Sequence, residues 1–85
     1  MTTKIKSRGY SHALVVALVE GDGRLPWIEL GRLCVAHEVP VATIAKQVGV
    51  SRQTVYMWFF GGNRPKPKHV DRINELIAEY HRANL

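Results

Sequence analysis

A single cysteine, Cys34, stands among the 85 residues, so no internal disulfide can close and the stapled framework of a small secreted scaffold is excluded. No apolar stretch approaches the roughly 18 residues that a membrane-spanning helix requires. The longest, residues 13–19, does not follow a signal-peptide layout with a cleavage site. Groupings that carry catalysis or hold metals are also absent. Cys34 and His37 lie one helical turn apart but have no third or fourth ligand near them in sequence, which argues against zinc. His12, His69 and His81 follow no ligand spacing, and no Ser/His/Asp set or paired carboxylates stand out. Glu75 and Glu79, i and i+4 beside Arg72 and Arg82, read as a solvated helix face. Neither an enzyme, a metal nor a cofactor is expected.

The most informative absence is of acid. Residues 39–70 contain Lys46, Arg52, Arg64, Lys66 and Lys68 and not one Asp or Glu. Residues 1–19 carry Lys4, Lys6 and Arg8, again without acid, whereas residues 20–38 and 71–85 are slightly acidic. The net charge of +5 is therefore concentrated, and a concentrated basic surface suits nucleic acid, an anionic membrane or an acidic protein. At 46% hydrophobic and 22% charged the chain has a globular composition, and its length suits one domain with one small core.

Residues 1–9, polar and basic, read as a flexible arm. The apolar run 13–19 suits a buried strand or a buried helix, which periodicity does not separate. Its valines favour strand, whereas Ser11 as N-cap and the alanines favour helix, and a helix is expected. Gly21-Asp22-Gly23 breaks it. Pro26 suits the first turn of a second helix, where its missing N–H has no intrahelical partner. That helix carries a stripe of Trp27, Leu30, Cys34 and His37 and extends to about Glu38, before Pro40 forces Val39 out of helical geometry. Gly31 inside it points to close helix contact. A third helix over 41–48 places Val41, Ile44, Ala45 and Val48 on one face, and Gly49 stops it. Ser51 caps a fourth helix over 52–60, closed by Gly61-Gly62. After a basic connector with two fixed φ angles at Pro65 and Pro67, Val70, Ile73, Ile77 and Tyr80 stripe a fifth helix over 67–83.

Two short helices joined by a glycine-centred turn within an all-α domain have the layout of a helix-turn-helix. Ala45 is small where the two helices cross, Gly49 relieves the turn, and Ile44, Val50, Val55 and Trp58 are apolar to pin both helices to the domain. On these residues, and on the run Gly49-Val50-Ser51-Arg52-Gln53-Thr54-Val55, the chain resembles the phage Cro and CI repressors and the wider XRE family of transcriptional regulators. The resemblance spans residues 26–81.

The resemblance implies a compact bundle of about five helices, with an extra N-terminal one, in a domain over 10–85 whose motif occupies 41–60. It implies that the second motif helix enters the DNA major groove. Arg52 and Gln53 are then the base readers, suited to guanine and adenine respectively, with Tyr56 and Met57 one turn further along. Ser51, together with Thr43 and Lys46 on the preceding helix, faces phosphate, and Asn63, Arg64, Lys66 and Lys68 form a backbone clamp. The expected protein is a Cro-like repressor that binds double-stranded DNA at a palindromic operator as a homodimer, in the cytoplasm of a bacterial host at its nucleoid.

Several residues depart from the family pattern. Pro40 stands where a Ser or Thr usually caps the first motif helix, and Val41 replaces a phosphate-anchoring Gln. Phe59 and Phe60 fill positions that are normally polar, and the 13–19 segment has no counterpart in the minimal fold. Either the extra helix covers one phenylalanine, or both contribute to a dimer seam. Architectural or packaging DNA binding, of the small terminase or excisionase type, is the alternative within DNA binding. A host-takeover protein that binds an acidic protein partner is the alternative outside it.

Overall fold

The computed structural model describes residues 10–83, and the arm over 1–9 with Lys4, Lys6 and Arg8 lies outside them. Five helices follow in order: α1 (His12–Glu20), α2 (Pro26–Ala36), α3 (Val41–Val48), α4 (Arg52–Phe60) and α5 (Pro67–Ala83). Among the described residues there is no strand. No helix there is long and apolar enough to cross a membrane. The described domain is all-α, as expected.

The segment with strand-prone valines becomes helical because both of its ends are closed. Ser11 Oγ accepts the Leu14 amide at 3.1 Å. At the other end the Arg32 guanidinium donates to the carbonyls of Leu18 (2.8 Å), Val19 (3.0 Å) and Gly21 (2.7 Å). Carbonyls of a last helical turn have no intrahelical donor, so Arg32 of α2 acts as a C-terminal cap for α1. The expectation for α2 is corrected by two residues, since the helix stops at Ala36 rather than near Glu38. Glu38 adopts φ 58°, and the Glu38 and Val39 amides bond back to Val35 and Cys34. This left-handed closure ends the helix before Pro40 can. The same closure, built on glycine, ends α3 at Gly49 (φ 90°) and α4 at Gly61 (φ 85°).

One core unites the helices. Leu14, Leu18, Leu30, Cys34, Ile44, Val55, Phe59, Ile73 and Leu76 are essentially sealed from solvent. α2 packs chiefly on α5, α3 on α4, and α1 lies across both α2 and α4. Three helices meet at Gly31, where an added Cβ would lie 2.5 Å from Leu18 Cδ2 and 3.2 Å from Phe59 Cδ1. The extra helix therefore covers Phe59, whose ring also meets Tyr10 at 6.4 Å. Phe59 is fully buried within the chain, and of the two phenylalanines only Phe60, 51% exposed, reaches solvent. Burial pushes the Cys34 thiol up to about 12 and raises the Tyr10 hydroxyl further still, so both stay neutral core groups.

Candidate nucleic-acid interface

α3 and α4 are joined by Gly49, Val50 and Ser51. The Gly49 and Val50 amides both bond to the Ala45 carbonyl, at 2.8 and 3.0 Å, which turns the chain sharply. Ser51 opens α4 as its N-cap: its Oγ accepts the Thr54 amide at 3.1 Å and shares a proton with Thr54 Oγ1 at 2.9 Å. Pro40 offers α3 no side-chain cap, so the start of that helix depends on packing of the buried Val41, Ile44 and Ala45.

The residues expected to read bases take different positions. Arg52 and Gln53, in the first turn of α4, are exposed, and their side chains form no hydrogen bond or ion pair among the described residues. Met57 is 38% exposed, and its sulfur accepts the Asn63 side-chain amide at 3.6 Å. Tyr56 is half-buried against the core, so less of it is presented to a partner. One face of α4 thus carries Arg52, Gln53, Met57 and Phe60, and the opposite face buries Val55, Trp58 and Phe59.

Five of the seven expected phosphate binders separate into two clefts, and Ser51 and Lys68 line neither. Thr43 and Lys46, with Ala42 and Gln47, line a groove of about 320 Å³ along α3. Asn63, Arg64 and Lys66 line a second cleft, of about 290 Å³, between α4 and the start of α5. Its remaining walls are Val50, Thr54, Trp58, Pro65 and His69. Lys68 is exposed in the first turn of α5. The basic loop is seated on two rings. The Arg64 guanidinium carbon lies 5.6 Å from the centroid of Trp27, and the His69 ring lies 5.7 Å from that of Trp58. Buried Pro65 anchors the segment between them. His69 and Thr54 are cleft residues that sequence reasoning did not select. The available signal was His69 three residues after Lys66 within the acid-free stretch.

The electrostatics of the two halves differ. Away from the motif, three of the four described arginines are engaged, Arg24 with Asp22 at 3.1 Å, Arg72 with Glu75 at 2.9 Å and Glu79 at 3.5 Å, and Arg32 with the α1 carbonyls, while Arg82 has no such partner. Hydrogen bonds from Arg24 hold the Asp22 carboxyl below its usual range. Arg72 also donates to the Gln47 carbonyl at 3.2 Å, tying α5 to the end of α3. By contrast, Lys46, Arg52, Arg64, Lys66 and Lys68 form no ion pair among the described residues. Cys34 and His37 do not form a shared site, since Cys34 is buried while exposed His37 stacks on Tyr80. No group of three or more His, Cys, Asp or Glu among the described residues is placed to hold a metal ion. Compared with protein-family models, with curated proteins and with solved structures, the chain has no match.

Proposed function

We propose that this protein is a sequence-specific binder of double-stranded DNA, a Cro-like repressor in which α3 and α4 form a helix-turn-helix and α4 reads the major groove. The observation that carries the reading is the set of five cations over 39–70, none neutralised by a carboxylate among the described residues: four flank α4, and the fifth, Arg52, stands unengaged beside Gln53 in its first turn. Nearby acids would cancel the counterion release that drives binding to duplex. Arg52 bridges guanine O6 and N7, and Gln53 bridges adenine N6 and N7. Met57 and the exposed part of Tyr56 contact thymine methyls or sugar. Thr43, Lys46, Ser51, Asn63, Arg64, Lys66 and Lys68 hold phosphates and set the register. With the Ser51 hydroxyl committed to its cap, that residue acts chiefly by orienting the start of α4.

One module of this size covers one half-site, so a homodimer on a palindrome with half-sites about one helical turn apart completes the reading. It places the protein in the cytoplasm of a bacterial host, at the nucleoid. Selection from a pool of random duplexes tests it, with one palindromic site strongly enriched. Arg52→Ala relaxes preference at one base by about 1–3 kcal/mol. Lys66→Ala weakens all duplexes alike and lowers the salt slope by about 0.9. Equal affinity for every duplex would refute the repressor reading in favour of an architectural one. Absence of binding even at low salt would refute DNA binding altogether.

A further inference from the structure

We infer that the cleft between α4 and the start of α5 seats a single phosphate of the duplex backbone, and that His69 and Thr54 donate to it beside Arg64 and Lys66. The inference rests on the DNA-binding reading and adds two ligands to it. The walls of the cleft are chemically one-sided. The charged groups that line it with His69 are Arg64 and Lys66, α4 contributes only neutral Val50, Thr54 and Trp58, and no carboxylate is present. Its polar groups supply ammonium, guanidinium, amide, hydroxyl and imidazole donors, and a phosphodiester offers acceptor oxygens only. The apolar part of the lining is Val50, Trp58 and Pro65, a low-dielectric surround in which charge-assisted hydrogen bonds strengthen.

Two of the donors are held in place before any ligand arrives. The Trp58 ring restrains the half-buried His69 imidazole on one side of the cleft. The Trp27 ring restrains the Arg64 guanidinium on the other. Restrained donors lose less side-chain entropy when they engage. Thr54 is available for a separate reason. In the arrangement proposed, the Ser51 hydroxyl donates to Thr54 Oγ1, and Thr54, which lines the cleft, keeps its own hydroxyl proton to donate outward. The Lys66 carbonyl is itself satisfied by the His69 and Val70 amides at 2.8 and 3.0 Å. It therefore presents no bare acceptor to the anion.

The test is a scan of a 20-base-pair duplex in which single phosphates are replaced by uncharged methylphosphonates, read by fluorescence anisotropy. Wild-type protein loses roughly five- to tenfold in affinity at one phosphate per half-site. His69→Leu binds the unmodified duplex roughly three- to tenfold more weakly and loses less than wild type at that replacement, because only Arg64, Lys66 and Thr54 still face the phosphate. His69→Gln, which keeps a donor, stays within about threefold of wild type. A folded His69→Leu that binds as wild type does, or still loses the full factor at the same phosphate, overturns the inference. If His69→Leu fails to fold, Thr54→Val takes its place, judged by the same coupling to that phosphate. If wild type binds no duplex, the DNA reading fails, and a titration with inorganic phosphate decides the cleft alone. In Trp27→Phe protein a saturable change in Trp58 emission that is lost with His69→Leu sustains the pocket, and no change overturns it.

Discussion

Replacing Arg32 by Met isolates the device that attaches α1. Methionine keeps most of the aliphatic stem and its packing and removes three donors that close the helix at 2.8, 3.0 and 2.7 Å. A hydrogen bond from a charged donor contributes about 1.5–3 kcal/mol when shielded and less at the surface. Only the bond to Leu18 is partly buried here, and the other two are exposed. A net loss of about 2 kcal/mol is expected, including the interaction of the cation with the negative end of the helix. In a domain of this size that lowers the midpoint of thermal unfolding by about 8–16 °C, measured by circular dichroism at 222 nm. The loss is focused on α1, so the amides of residues 15–20 gain exchange rate before those of α5. Arg32→Lys recovers only part of it, because one ammonium cannot span three carbonyls as a planar guanidinium does. A midpoint within 2 °C or so of wild type, with unchanged exchange along α1, would refute the assignment of Arg32 as the cap.

Glu38→Gly is expected to stabilise the fold by about 1 kcal/mol, because a left-handed residue with a Cβ is strained there and glycine is not; denaturant titration measures it. Gly31→Ala is expected to destabilise by about 1–2 kcal/mol: overpacking against Leu18 and Phe59 costs about 1–3 kcal/mol, and alanine's helix propensity returns up to about 1. Raised folded-state values for Cys34 and Tyr10 make their contribution to stability complete below their unfolded values. It is lost above about pH 9, where the unfolded chain releases protons that the folded chain retains. The slope from the thiol alone is about 1.4 kcal/mol per pH unit until about pH 12, measured as urea midpoints between pH 8 and 11. Correspondingly, Cys34 should resist a thiol reagent at pH 8 until denaturant is added.

The parts of the fold legible from sequence are those set by neighbours along the chain. Ser51 and Gly49 bracket α4 and α3 within a few residues of the groups they satisfy, so both helices begin and end where the punctuation places them. The same holds for Ser11 and α1. What escaped depends on contacts across the chain or on an atypical residue. Arg32 looks like any exposed helical arginine until α1 is folded back over α2, 11 to 14 residues away in sequence. Glu38 carries out a closure normally left to glycine, and nothing in its own chemistry signals a left-handed conformation. Phe59 and Phe60 are adjacent, yet one is sealed and the other exposed; the distinction comes from where α1 lies. In the candidate interface, the cations and the exposed Arg52 and Gln53 are legible as charge and motif. In sequence His69 is a histidine with no ligand spacing, whereas the fold sets it beside Trp58.

The pairing of α2 with α5 has a consequence for how the chain acquires its structure. The second helix finds its principal partner in the last, so Leu30 and Cys34 wait uncovered while everything between is synthesised. α3 and α4 form a local pair, but α4 is covered by α1 and α2, and α3 also meets α5. All five helices share one core, so folding is expected to be a single cooperative event. A stop codon between Gly61 and Ile77 would then yield a chain with an intact motif in its sequence and no native state to display it.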